Sequence, residues 1–222
     1  AQRAIVEVEV DDPTRIAALA SALDVDGDRI APLFTRDAPE LRRWIRIDTT
    51  DADAALRALR AMPGVIHAER APQVTDAYFD AGTGVDAALD AAATCPIKTP
   101  SFTARQGYAA PAPDGIDAAA AWAVPGGRGQ GVRLADVESA WNPDHEDLPA
   151  DRIEKITRGR RGAYGEHGTA VLGELIGVDN NLGVTGLVPG VERTFTASYL
   201  DTNLADAIDR AAARLRAGDV LL

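Results

Sequence analysis

The segment GVRLADVESAWNPDHEDL, Gly131 to Leu148, decides the fold of the second half of this 222-residue chain. Its apolar residues predict a strand over Val132–Glu138, which puts the carboxylate of Glu138 at the C-terminal end of that strand. Sheets of parallel strands carry their catalytic groups at that end. A helix is predicted over Thr169–Gly177, so the ring of His167 can project from just before the start of this helix. Glu138 and His167 are candidates for one site.

Strands and helices continue to alternate after this segment. A strand is predicted over Arg193–Tyr199, a helix between the cap Asn203 and Gly218, and a last strand over Asp219–Leu222. This β-α-β-α-β order implies the α/β class, with a parallel sheet and crossover helices. Because the sequence stops within a predicted strand, we expect an incomplete doubly wound sheet, whose open edge self-association would cover.

The first 75 residues predict a smaller α+β unit. One helix begins at Pro13 after the cap Asp12, and a second follows a capping box formed by Thr50 and Asp53. The predicted strands are Ala4–Val10, Ile30–Thr35, Arg42–Asp48 and Val65–Arg70. The resulting β-α-β-β-α-β order is typical of a ferredoxin-like fold.

Composition and charge exclude several classes of function. The net charge of −11 and the pI near 4.7 argue against nucleic-acid binding and against anionic membrane surfaces. No apolar run approaches the roughly 20 residues of a membrane span, and the first residues lack a signal-peptide pattern.

Residues 76–114 are rich in Ala, Pro and Gly, which predicts a linker. The single cysteine, Cys95, lies in this linker and leaves no partner for an internal disulfide.

Three motifs together resemble those of the subtilisin-like serine peptidases, or subtilases. The first motif aligns without gaps and places the family's catalytic Asp at Glu138; its matching residues are Gly131, Val132, His145, Asp147 and Leu148. The second contains the family's catalytic His and matches at His167, Gly168, Thr169, Val171 and Gly173. The third matches at Asn180, Gly183, Val184, Gly186 and Pro189. The resemblance covers residues 1–75 and 115–222.

The resemblance implies the N-terminal part of a subtilisin-like serine endopeptidase zymogen. Residues 115–222 would be the first part of the catalytic domain, and residues 1–75 a ferredoxin-like propeptide that contacts and inhibits it. His167 would be the general base, oriented by Glu138, in an enzyme that hydrolyses peptide bonds. The resemblance also implies a peptide or protein substrate and a secreted or extracytoplasmic location.

The sequence departs from the family pattern in two ways. The acid is a Glu, whose extra methylene adds about 1.5 Å of reach, and Asp136 lies two residues earlier on the same face of the strand. Asp136 would either be the partner of His167 or stay protonated beneath Glu138.

The second departure concerns the nucleophile. The motif Gly-Thr-Ser is absent, and Ser139 and Ser198 do not stand in for it. We therefore expect this chain alone to be inactive, and activity to require a downstream Ser.

Other readings of the same residues lead to different functions. The missing motif also fits a truncated, inactive fragment, or a pseudopeptidase acting as an inhibitor, chaperone or assembly module. A metal hydrolase using Glu138, His145 and His167 is disfavoured because the zinc motif HExxH is absent. Asp147 and Asn180 match positions near a calcium site of some subtilases, but their loop is short. We expect them to cap turns, and we expect no cofactor.

Overall fold

A computed structural model of the chain describes residues 3–74, 99–158 and 165–222. These residues form a mixed α/β structure with one antiparallel and one parallel sheet. The chain divides into two compact units: residues 1–74 with 203–209, and residues 75–202 with 210–222.

The first unit contains a four-stranded antiparallel sheet and two helices. Its strands are β1 (Ala4–Val10), β2 (Ile30–Pro32), β3 (Trp44–Thr49) and β4 (Val65–Arg70). Its helices are α1 (Ile16–Ala22) and α2 (Ala52–Arg60). The strand order in the sheet is β2-β3-β1-β4, so the two longest-paired strands, β1 and β3, lie in the middle.

The alternation of residues along β1 and β3 builds the core of this unit. Val6 lies opposite Ile47, and Val8 opposite Ile45, with all four side chains buried. Because successive strand residues point to opposite faces, this register puts one apolar face against the helices. Leu59 of α2 is fully buried in the same cluster. The predicted β-α-β-β-α-β element order is therefore present.

Several bounds in this unit differ from the sequence prediction. The α-helix predicted from Pro13 begins at Ile16, after a 3-10 turn, and the third strand covers Trp44–Thr49 instead of Arg42–Asp48. The second strand ends at Pro32 instead of Thr35, and the cap of α2 is Asp51 instead of Thr50. The Asp51 carboxylate accepts a hydrogen bond from the backbone N–H of Ala54 at 2.9 Å. Thr50 and Asp51 are both common cap residues, so sequence alone does not separate adjacent candidates.

The second unit contains the parallel sheet. Its strands are β5 (Arg133–Asp136), β6 (Ile153–Lys155), β7 (Arg193–Thr196) and β8 (Val220–Leu221). Its helices are α3 (Ala118–Trp122) and α4 (Gly165–Ile176), and α5 (Leu204–Ala212) connects β7 to β8. The strand order is β6-β7-β5-β8, all parallel, so β5 lies in the interior of the sheet and β8 at its edge. The predicted parallel arrangement is thus present.

β6 and the start of α4 differ from the sequence prediction, which contained no strand at β6. β6 has only three residues, Ile-Glu-Lys, and lies at the sheet edge, so it lacks the apolar run that marks an interior strand. The helix predicted from Thr169 begins at Gly165, which puts His167 inside its first turn. A buried cluster centred on Leu134, Leu172 and Ile176 packs α4 against the sheet.

Part of the predicted linker 76–114, including Cys95, lies outside the described residues. Its described part, 99–114, is hydrogen-bonded into the second unit. Phe102 N donates to Gly183 O at 2.6 Å, and the side-chain amide of Gln106 pairs with both backbone groups of Thr185. Within the described ranges, no helix is long and apolar enough to cross a membrane.

Candidate active site

Glu138 lies just beyond the C-terminal end of β5, between two neighbouring strands. Its backbone carbonyl accepts a hydrogen bond from Tyr199 N at 3.2 Å, on the β7 side. On the other side, Val137 N donates to Leu222 O at 3.1 Å. The ladder of the sheet therefore extends past Asp136, and it fixes the backbone that carries the Glu138 side chain.

The structure brings the side chains of Glu138 and His167 together. Glu138 Oε1 lies 3.4 Å from His167 Nε2, an ion-pair distance slightly longer than a usual hydrogen bond. The Glu138 side chain is 16% exposed and that of His167 is 33% exposed, so both reach solvent from a partly shielded position. A carboxylate at this place can accept a hydrogen bond from an N–H on the facing ring nitrogen.

The orientation of the imidazole differs from that in the Ser-His-Asp arrangement. There the acid binds Nδ1 and leaves Nε2 for the nucleophile. In this chain Nε2 faces Glu138, so Nδ1 of His167 is the ring nitrogen turned away from the acid. Side-chain nitrogen signals of His167 would report which nitrogen carries the proton.

Asp136, the second candidate acid, has a different partner. Its side chain is 1% exposed, and Oδ2 accepts a hydrogen bond from the indole Nε1 of Trp141 at 2.6 Å. Burial raises the pKa of Asp136 to about 7, an effect opposed by the Trp141 hydrogen bond and reinforced by the charge of Glu138. Of the two acids it is Glu138, and not Asp136, whose side chain pairs with His167 among the described contacts.

The segment after Glu138 packs closely against the start of α4. A Cβ placed on Gly168 would lie 2.8 Å from Trp141 Nε1 and would also clash with the backbone oxygen of Ala140. Asn142 N donates to the Thr169 hydroxyl at 2.8 Å. Glycine next to His167 therefore allows the two segments to approach to contact distance.

Ser139 and Ser198 have structural partners. Both are buried, and the Ser198 hydroxyl donates to the backbone oxygen of Ser139 at 2.5 Å. The same hydroxyl oxygen accepts a hydrogen bond from Leu200 N at 3.2 Å. These contacts support a structural role for Ser139 and Ser198, which hold the loops together. This agrees with the prediction that neither serine is the nucleophile.

His145 and Asn180 stabilise turns, as expected for Asn180, whereas Asp147 was expected to cap a turn and instead joins two loops. His145 Nδ1 accepts from Asp147 N at 3.2 Å, and Asn180 Oδ1 accepts from Leu182 N at 2.9 Å. Asp147 Oδ2 accepts from Val184 N at 3.1 Å, while Oδ1 is buried without a hydrogen-bond partner.

The backbone of Gly183 lies close to the Asp147 carboxylate. A Cβ on Gly183 would fall on the Asp147 carboxylate, so the loop backbone already fills the space in front of it. Among residues 3–74, 99–158 and 165–222, no group of three or more His, Cys, Asp or Glu side chains could hold a metal ion.

The part played by Trp141 was not predicted from the sequence. The residue lies five positions after Asp136 and is one of only three tryptophans in a chain with 5% aromatic residues. An indole in a turn of small residues was the available signal, because a buried Trp N–H requires an acceptor. Asp136, already singled out as a candidate, provides that acceptor.

Comparison with solved structures found similarity over most of the chain. The crystal structure of fervidolysin from Fervidobacterium pennivorans, described as a keratinolytic enzyme related to subtilisin, matches 95% of this chain with 14% sequence identity and a TM-score of 0.48. The match covers 32% of that protein, so this chain spans about a third of its length. No family model and no curated protein matches the chain.

Proposed function

We propose that this chain carries the acid and the base of a subtilisin-like serine endopeptidase. The observation that supports this most directly is the 3.4 Å approach of Glu138 Oε1 to His167 Nε2. The acid follows an interior strand of a parallel sheet and the base lies in the first turn of a helix, at the sheet end where such enzymes place their chemistry.

In the proposed mechanism, the nucleophile is a Ser from a segment outside these 222 residues. Its hydroxyl oxygen attacks the carbonyl carbon of the scissile peptide, and its proton passes to the His167 nitrogen that does not face Glu138. The same nitrogen then gives this proton to the leaving amine. Glu138 stabilises the imidazolium formed between these steps and keeps the ring in place. Without the Ser, the chain alone would be inactive.

Residues 1–75 would form a ferredoxin-like propeptide in this proposal. Support comes from the element order β-α-β-β-α-β and the antiparallel strand order β2-β3-β1-β4. A propeptide of this kind would inhibit the enzyme until it is cleaved. The substrate would be a peptide or protein, and the enzyme would act outside the cytoplasm.

The proposal is tested on the protein expressed from its complete coding sequence. A fluorophosphonate probe, which reacts only with an activated Ser, should label the wild type. We expect no labelling of His167→Ala, and a rate for Glu138→Ala lower by about three to four powers of ten. His67→Ala, a matched change at an exposed strand residue of the first unit, should label normally. Normal labelling of His167→Ala would refute the proposed base.

The absence of Gly-Thr-Ser from these residues favours a second candidate function, that of a pseudopeptidase acting as an inhibitor, chaperone or assembly module. A coding sequence without this motif, together with no labelling of the wild type, would support it. Labelling that depends on His167 would exclude it.

A further inference from the structure

The indole of Trp141 lies between two parts of the candidate active site. On one side its Nε1 donates to Asp136 Oδ2 at 2.6 Å, short for a bond from a neutral N–H donor. On the other side, Nε1 and Cδ1 lie 2.8 and 2.9 Å from the point where a Cβ of Gly168 would stand. The ring thus connects the end of β5 to the first turn of α4.

Glu138 and His167 belong to the two segments that this ring connects. Glu138 lies between Asp136 and Trp141 in the sequence, and His167 directly precedes Gly168. Loss of the indole contacts would therefore let the segment that carries the acid move relative to the segment that carries the base. Glu138 Oε1 and His167 Nε2 are 3.4 Å apart, so a small further separation would break their contact.

We infer that Asp136 is a positioning residue, whose carboxyl group holds the Trp141 indole against α4 and thereby keeps Glu138 at His167. The catalytic consequence of this role rests on the proposed function, whereas the contact itself does not. A displacement of about 1 Å at such a site can cost a hundredfold in rate.

The chemistry of Asp136 suits this role better than that of a second catalytic acid. Its side chain is inaccessible to solvent, and its Oδ1 has no hydrogen-bond partner among the described residues. Burial raises its pKa to about 7, so a large share of the molecules carry a neutral carboxyl group at neutral pH. A neutral Asp136 accepts the indole N–H without adding a second full charge beside Glu138.

The test compares the His167 ring in variants of the 222-residue chain by nitrogen NMR at about pH 8, where neutral imidazole tautomers are resolved. We expect a single dominant tautomer with the proton on Nε2 in the wild type. Asp136→Asn keeps an acceptor for the indole and should keep this tautomer. Asp136→Ala and Trp141→Phe remove one partner each, and both should give the mixed pattern that Glu138→Gln produces.

Trp122→Phe is the matched control, because the Trp122 indole donates to a backbone oxygen, Leu187 O, at 2.8 Å in a different part of the unit. It should leave the His167 signals unchanged. In the complete enzyme, Trp141→Phe should lower the rate of probe labelling by about a hundredfold, and Asp136→Asn by less than tenfold.

The outcomes separate this inference from the proposed function. If Glu138→Gln changes the tautomer while Trp141→Phe and Asp136→Ala do not, the positioning role is wrong and the acid–base pair stands. If Glu138→Gln itself has no effect, the pair on which the proposed function depends is wrong. Should Asp136→Ala fail to fold, Trp141→Phe and Asp136→Asn still decide the inference.

Discussion

Gly168→Ala tests the close approach between the Trp141 segment and the first turn of α4. The new methyl carbon would meet the Ala140 backbone oxygen and would lie 2.8 Å from the indole nitrogen of Trp141. A backbone oxygen cannot swing aside as a flexible side chain does, so the two segments must move apart. Overpacking of this kind costs about 1–3 kcal/mol, with the upper part of the range expected here.

An opposing effect must be subtracted from that cost. Replacing Gly by Ala inside a helix adds about 1 kcal/mol of helix propensity. The expected net destabilisation is therefore about 1–2 kcal/mol. For a chain of this size, that corresponds to a drop in Tm of about 2–8 °C.

Gly173→Ala provides the control within the same helix. The nearest atom to its new methyl carbon would be Val184 Cγ2 at 3.6 Å, an ordinary contact distance. The propensity gain should then prevail, and stability should rise by about 0.4–1 kcal/mol. Both variants are compared with the wild type by urea unfolding followed by circular dichroism. If Gly168→Ala is as stable as Gly173→Ala, the described packing of Trp141 on α4 is incorrect.

Three further predictions concern other features of the structure. The raised pKa of Asp136 (about 7, from 3.8) lets the folded chain keep a proton that the unfolded chain has lost. The contribution of Asp136 to stability should therefore fall by about 4 kcal/mol as pH rises from about 4 to 7. Asp136→Asn should remove this fall, and equal pH dependence of the urea midpoint in both proteins would contradict it. Asp51→Ala should cost about 1 kcal/mol by removing the helix cap, whereas Thr50→Ala should change urea stability by less than about 0.5 kcal/mol. Leu172→Ala should cost about 2–5 kcal/mol in the same assay, because the side chain is fully buried, and a smaller loss would place Leu172 outside the core.

The sequence predicted most of the secondary structure because the spacing of apolar residues along the chain is that of the strands and helices they form. β1 and β4 have the predicted bounds, Ala4–Val10 and Val65–Arg70, and the regular alternation of burial is seen in β3, where every second residue is buried. The cap of α5 was also located: Asn203 Oδ1 accepts from Asp206 N at 2.9 Å. Strand ends were less predictable. The hydrogen-bonded ladder reaches Glu138, but regular strand geometry in β5 ends at Asp136.

The candidate site was only partly predictable. Motif spacing selected Glu138 and His167, whose proximity depends on the packing of β5 against α4 and not on sequence distance. The same spacing left the role of Asp136 undecided. Asp136 and Glu138 lie on one face of the strand, and the sequence does not show which of the two is more deeply buried. Burial of a side chain is set by tertiary packing. The hydrogen bond from Trp141 to Asp136 likewise cannot be predicted from the spacing of apolar residues.

The interior position of β5 has a consequence for synthesis on the ribosome. The strand that leads to the acid is flanked on one side by β8, and Ala135 lies opposite Leu221, about 85 residues later. At translation rates of about 5–20 residues per second, roughly 4–17 s pass between the emergence of the two. Throughout that interval one edge of β5 has no neighbour in its own chain, and it is open to pairing with other nascent or misfolded strands. A factor that shields the nascent chain would therefore act most usefully in the interval between these two strands.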